Sequence, residues 1–219
     1  MMNEEKSVSY TTTNTYQTLN TLNDQTKNIW IVCHGLGHLS SFFIKHFKSL
    51  APDTNYIIAP QAPSKYYQDK RYKYIGASWL TRENTEIEIE NVLNYLDQVY
   101  KKELSSVDLQ KYTVVLMGFS QGVSVITRWI AHREIPCDVL ILHSGKIPAD
   151  VKHISNQPKR VFSIYGNEDS LISKEALRQQ HQLAKSLFDS SMEDVIFDGA
   201  HVVHEASLQQ IATTVLNKL

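Results

Sequence analysis

The chain has 219 residues, 42% hydrophobic and 21% charged, a balance that supports a sizeable buried core and excludes a disordered chain. Its formal net charge is −1, with Lys and Arg scattered among Asp and Glu, so it lacks the basic face that binding a nucleic-acid backbone requires. No apolar run approaches the roughly 20 residues needed to span a bilayer, and Cys33 and Cys137, the two cysteines, read as small buried hydrophobes rather than a disulfide.

In chain order, Met1 to Asn28 is polar and rich in Thr and Asn. It has no apolar segment of the kind a secretory signal needs, so the expected location is cytoplasmic. Within it Val8–Leu19 alternates in the β manner and is expected as an antiparallel edge strand, in a hairpin with the first core strand. Core strands are expected at Ile29–Cys33, Tyr56–Ala59, Thr113–Met117 and Val139–Leu142, with a weaker fifth at Arg160–Tyr165. Each is short and apolar nearly throughout, as strands covered on both faces should be.

Between the second and third lies Pro60 to Thr81, the longest irregular stretch, with Tyr66, Tyr67, Tyr72, Tyr74 and Trp79 amid Lys65, Lys70 and Arg71. Its aromatics read either as a satellite core or as the wall of a substrate pocket, with Trp79 the candidate substrate-binding residue. Glu83 to about Lys102 carries Ile87, Ile89, Val92, Leu93, Leu96 and Val99 on a helical stripe. Further helices are expected at Gln121–Arg133, Ser173–Phe188 and His204–Leu219, and a strand at Asp194–Phe197. Strands alternating with helices predict an α/β fold: a mostly parallel sheet with helices on both faces, in a single domain over residues 1–219.

The chemistry concentrates at strand ends. Gly118-Phe119-Ser120-Gln121-Gly122 directly follows one predicted strand and precedes a predicted helix, the context of a nucleophile elbow. A strained turn there exposes the serine Oγ, and side chains at the flanking glycines would collide with neighbouring strand and helix. Such a serine needs a base oriented by a third group, and in this kind of fold the chain order is Ser, acid, His. Glu168 and Asp169, after the fifth strand, are both candidates for the acid, with Asp198 a minor rival. Of His201 and His204, His201 is favoured, because it lies just past a strand end beside small residues. The turn His34-Gly35-Leu36-Gly37 can present the Leu36 backbone N–H toward the serine. With the N–H of Gln121 it would form an oxyanion hole. His34 precedes the serine in the chain and reads as a turn-stabilising or pocket-floor residue. No H-E-x-x-H, P-loop or G-x-G-x-x-G after a strand occurs, so neither a metal nor a cofactor is called for.

The segments His34-Gly35-Leu36-Gly37, Gly118 to Gly122, His143-Ser144-Gly145 with Pro148, Gly166-x-x-Asp169 and Gly199-Ala200-His201 occur in the order seen in the phospholipase/carboxylesterase family, which includes the acyl-protein thioesterases. The resemblance spans about Ile29 to the C-terminus. It implies an α/β-hydrolase fold without a large cap domain, acting on carboxylic esters or thioesters. It also implies Asp169 rather than Glu168 as the acid, and Leu36 and Gln121 as oxyanion donors. The sequence departs from the family pattern at His38, where an acid is usual, and at Val123, where a glycine is usual; Ser78-Trp79-Leu80 matches only loosely.

The expected activity is hydrolysis of esters of small or medium acyl groups through an acyl-enzyme on Ser120, with Leu36 and Trp79 contacting the substrate. The expected partner is a small-molecule ester, and assembly as a homodimer is left open. The competing readings are an amidase or acyltransferase on the same triad and a non-catalytic hydrolase-like binding protein.

Overall fold

The apolar runs of the sequence lie side by side at the centre of a seven-stranded sheet, ordered Tyr16–Leu19, Asn55–Pro60, Asn28–Cys33, Thr113–Phe119, Val139–His143, Arg160–Gly166 and Met192–Phe197 among the described residues. This computed structural model describes residues 3–188, 192–214 and 216. The core strands are β2 (Asn28–Cys33), β3 (Asn55–Pro60), β6 (Thr113–Phe119), β7 (Val139–His143), β8 (Arg160–Gly166) and β9 (Met192–Phe197), all mutually parallel. Every residue of β2 and β3 is buried, because helices cover both faces. Ile29, Ile31 and Cys33 face one layer, packed with Val92, Leu96 and Trp129 from α2 (Thr85–Leu104) and α3 (Gln121–Arg133). Trp30 and Val32 face the other, packed with Phe43, Phe47, Leu208 and Ile211. Those four come from α1 (Ser40–Phe43), the 3₁₀ turn Ile44–Phe47 that continues it, and α5 (Glu205–Thr214). Helix α4 (Lys174–Phe188) adds Ala184 and Leu187 to the first layer. This is the expected α/β-hydrolase architecture, with no large cap evident among the described residues.

Three expectations change. The antiparallel edge strand exists as β1 (Tyr16–Leu19), but it pairs with β3, Tyr16 opposite Pro60, and not with the first core strand. The reason is that β2 is interior: β3 takes one of its edges and β6 the other, so on that side of the sheet the edge left for β1 is that of β3. The hydroxyls of Tyr16 and Tyr56 then both donate to the Glu103 carboxylate, at 2.6 and 2.5 Å, tying β1 and β3 to α2. The stretch after β3 is not irregular throughout. It holds an antiparallel hairpin of β4 (Ser64–Tyr67) and β5 (Ile75–Ser78), whose first strand is exposed at all four positions and so carries no buried face to announce it. The last helix is described over Glu205–Thr214; of the expected His204–Leu219, residues 215 and 217–219 lie outside the described residues.

Candidate active site

Strand β6 delivers Ser120 to the edge of the sheet and α3 begins at the next residue, so the chain reverses within one residue. Ser120 takes φ 54° and ψ −116°, a conformation that L residues rarely adopt. The flanking glycines permit it. A Cβ on Gly118 would stand 2.4 Å from the carbonyl oxygen of Gly122, and one on Gly122 would stand 2.1 Å from that of Cys33. The turn is pinned from β7, where the Ser120 N–H donates to the His143 carbonyl at 2.9 Å.

Two loops bring the partners. After β8, Asp169 is reached through Gly166, where a Cβ would stand 2.1 Å from the Gly199 carbonyl. After β9 comes His201. The loops are laced together: Asn167 N–H donates to Phe197 O, Glu168 N–H to Gly199 O, and Gly199 N–H to Asn167 Oδ1, at 2.9–3.1 Å. The structure thereby brings Ser120, His201 and Asp169 into one line. Ser120 Oγ lies 2.9 Å from His201 Nε2, and His201 Nδ1 lies 2.7 Å from Asp169 Oδ2. The Asp169 side chain is 4% exposed, and its other oxygen accepts from the Leu171 N–H. Glu168 is exposed, and Asp198 is occupied with the Asn167 amide at 3.1 Å. The His204 ring stacks on Phe197 with centroids 4.3 Å apart, and its Nδ1 meets Ser207 Oγ.

The turn after β2 faces the same point: a Cβ on Gly35 would stand 3.1 Å from the Ser120 Cβ. Leu36 is 55% exposed there, and its N–H has no protein acceptor among the described residues. The Gln121 N–H belongs to the first turn of α3, where no intrahelical acceptor exists. His34 is fully buried. Its Nε2 accepts from the Ala62 N–H at 3.1 Å, so the proton sits on Nδ1, which donates to Gly35 O at 2.8 Å. Burial pushes its pKa down to about 4, and the ring stays neutral at physiological pH. It is a brace between the ends of β2 and β3, as the turn-stabilising reading has it.

Trp79 is the correction here. It is completely buried in the first layer, its indole N–H donating to His34 O at 2.8 Å. With no accessible surface it offers no wall to a substrate: it follows β5 directly, and its indole is tied to the carbonyl at the end of β2. The exposed apolar side chains on the loops around Ser120 are Leu36, Leu171 and Val202. Sequence reading also missed the Gln121 side chain. It accepts from the Trp79 N–H at 2.9 Å and donates to Leu80 O at 2.7 Å, fastening the hairpin's root to the elbow. No run of sequence signals that contact.

Among solved structures, a phospholipase/carboxylesterase from Dyadobacter fermentans superposes with TM-score 0.68 at 18% identity, covering 95% of this chain and 99% of that one. Acyl-protein thioesterase 2 of Zea mays gives TM-score 0.68 at 12% identity over 91% and 96%. Esterase PE8 gives 0.66 at 19% identity over 95% and 100%. At these low identities the superpositions establish a shared fold alone. Among curated proteins no sequence matches. The profile of the phospholipase/carboxylesterase family matches residues 14–218, nearly the whole length, and the chain belongs to that family.

Proposed function

We propose that the protein is a serine hydrolase that cleaves carboxylic esters or thioesters of small or medium acyl groups, acting as one domain. The observation that carries this reading is the unbroken line from Ser120 Oγ through His201 to Asp169, at 2.9 and 2.7 Å, on a serine held at φ 54°. Ser120 Oγ attacks the acyl carbon while His201 Nε2 takes its proton. Asp169 accepts from Nδ1–H, holding the ring in the tautomer that leaves Nε2 free and stabilising the imidazolium. The Leu36 and Gln121 N–H groups receive the oxyanion, helped by the N-terminus of α3. Collapse releases the alcohol or thiol, protonated by His201. Water activated by the same base then hydrolyses the acyl-enzyme. The aliphatic side chains of Leu36, Leu171 and Val202 support a short apolar acyl site.

Labelling by a fluorophosphonate, with the adduct mapped by mass spectrometry, tests the mechanism. The adduct should fall on Ser120, and Ser120→Ala should lower ester turnover on the order of 10⁴-fold while keeping the fold. An unlabelled protein, or an unimpaired variant, overturns it. A panel of p-nitrophenyl esters, thioesters and anilides reads the leaving group. Turnover confined to anilides would replace the esterase reading with an amidase.

A further inference from the structure

His143 closes β7 and is opposite Phe119 in the register with β6, one residue before the nucleophile. It is fully buried, and it makes two contacts that nothing in the triad accounts for. Its backbone carbonyl accepts the Ser120 N–H at 2.9 Å. Its side-chain Nε2 accepts the His204 N–H, also at 2.9 Å, three residues beyond the base. We propose that His143 is a positioning residue that sets the spacing between nucleophile and base, holding the Ser120 turn with its main chain and the His201 loop with its ring. The inference rests on the hydrolase reading above.

The ring chemistry agrees with that task. An Nε2 that accepts leaves the proton on Nδ1, which faces Ser144 Oγ at 3.1 Å, so both nitrogens are used by one neutral tautomer. Phe119 and Phe197 meet the ring edge-on, with centroids 5.2 and 5.9 Å away, and fix its plane. Burial, helped by the neighbouring His204, His201 and His46, pushes its pKa down to about 3, so the acceptor is not lost to protonation at neutral pH. An aliphatic side chain at this strand end could fill the same volume but would leave the His204 N–H unpaired. The turn Ala200–Val202 would then depend on its own 2.9 Å bond and on the loop after β8. A displacement of about 1 Å in such a group can cost on the order of 10²-fold in rate.

The test compares His143→Leu, which removes the acceptor, with His143→Gln, whose amide oxygen can reach the same N–H. Both are assayed well below their melting temperatures on one p-nitrophenyl ester. The expectation is a kcat loss approaching 10²-fold for the leucine variant with KM within about twofold, and recovery to within about fivefold by glutamine. Leucine at wild-type kcat, or glutamine as impaired as leucine, overturns the proposal. Should the leucine variant not fold, ¹⁵N spectroscopy of the wild type decides. Nε2 of His143 must be unprotonated from pH 5 to 8 and the His204 amide slow to exchange; a protonated Nε2 or a freely exchanging amide overturns it. A wild type inert toward fluorophosphonate and esters would sink the hydrolase reading, and with it any catalytic consequence of His143. An active wild type with an indifferent leucine variant sinks the positioning role alone.

Discussion

The turn at Ser120 and the hairpin β4–β5 meet through Gln121, yet they are held by different forces. At the turn, backbone packs on backbone: added methyl groups at Gly118 and Gly122 would stand 2.1–2.4 Å from carbonyl oxygens. The hairpin, by contrast, exposes all of β4 and is moored to the Leu36 turn by polar contacts. The Gly37 N–H donates to Ala77 O at 2.8 Å, and Gln68 Nε2 donates to Gly37 O at 2.6 Å. The first kind of constraint admits one residue type and leaves a spaced pair of glycines in the sequence. Along the exposed β4 the second admits many residue types and leaves no mark; only where β5 meets the Leu36 turn, at Gly76 against Gly37, does backbone again pack on backbone.

The sharpest way to break this contrast is at the hairpin's root, where Trp79 belongs to the core. Trp79→Ala should cost about 3–5 kcal/mol in urea denaturation. It should change kcat/KM by a similar factor for every acyl length, and a chain-length-dependent response would restore a pocket role. Next is Gly122→Ala, where the new methyl meets the Cys33 carbonyl. Overpacking against main chain predicts a loss at or above about 3 kcal/mol, seen as a large fall in melting temperature; a loss below about 1 kcal/mol would show that the elbow yields.

Acid exposes the two buried braces. His34 and His143 have folded values of about 4 and about 3, below the ordinary histidine value of 6.5, so as pH falls the unfolded chain takes up these protons first. Their stabilisation is complete above about pH 6.5 and declines through pH 4, then pH 3, by roughly 1.4 kcal/mol per pH unit for each ring. Urea midpoints at pH 7, 6 and 5 should step downward, and a level series would contradict the burial of both. The smallest effect belongs to the mooring of the hairpin. Gln68→Ala removes one exposed hydrogen bond, worth about 1 kcal/mol or less. Turnover should drop only a few-fold, measured on the ester that the wild type prefers. A collapse in activity there would make the hairpin as strict as the elbow.

Legibility in the sequence followed the same division. The buried strands, the elbow sequence and the candidates that meet, Ser120, His201 and Asp169, could be read because burial on both faces, the Gly118–Gly122 spacing and strand-end placement each restrict residue type. Asp169 and Glu168 were not separable by residue chemistry, since either carboxylate could follow β8; the structure separates them by exposure. The pairing of β1 escaped because strand order depends on which edges remain free, which no local pattern encodes. The hairpin escaped because its first strand buries nothing. Trp79 was ambiguous for the reason that any tryptophan in a loop is: large apolar area serves core and pocket equally. His143 gave no sign of its reach, because a histidine at the end of a buried strand reads as a packed ring until the loop opposite is known.

One consequence of the topology concerns how the protein stops working. Ser120 follows an interior strand, whereas His201 follows β9, at one margin of the sheet and paired with β8 alone among the described residues. Sheet margins open more readily than sheet centres. Opening at β9, together with release of the His204 N–H from His143, would carry His201 away from Ser120 while the elbow stays on its own strand. Thermal inactivation is therefore expected to have a reversible first stage, a disarmed but largely folded molecule; on heating, activity should fall before far-UV circular dichroism does, and coincident transitions would count against it.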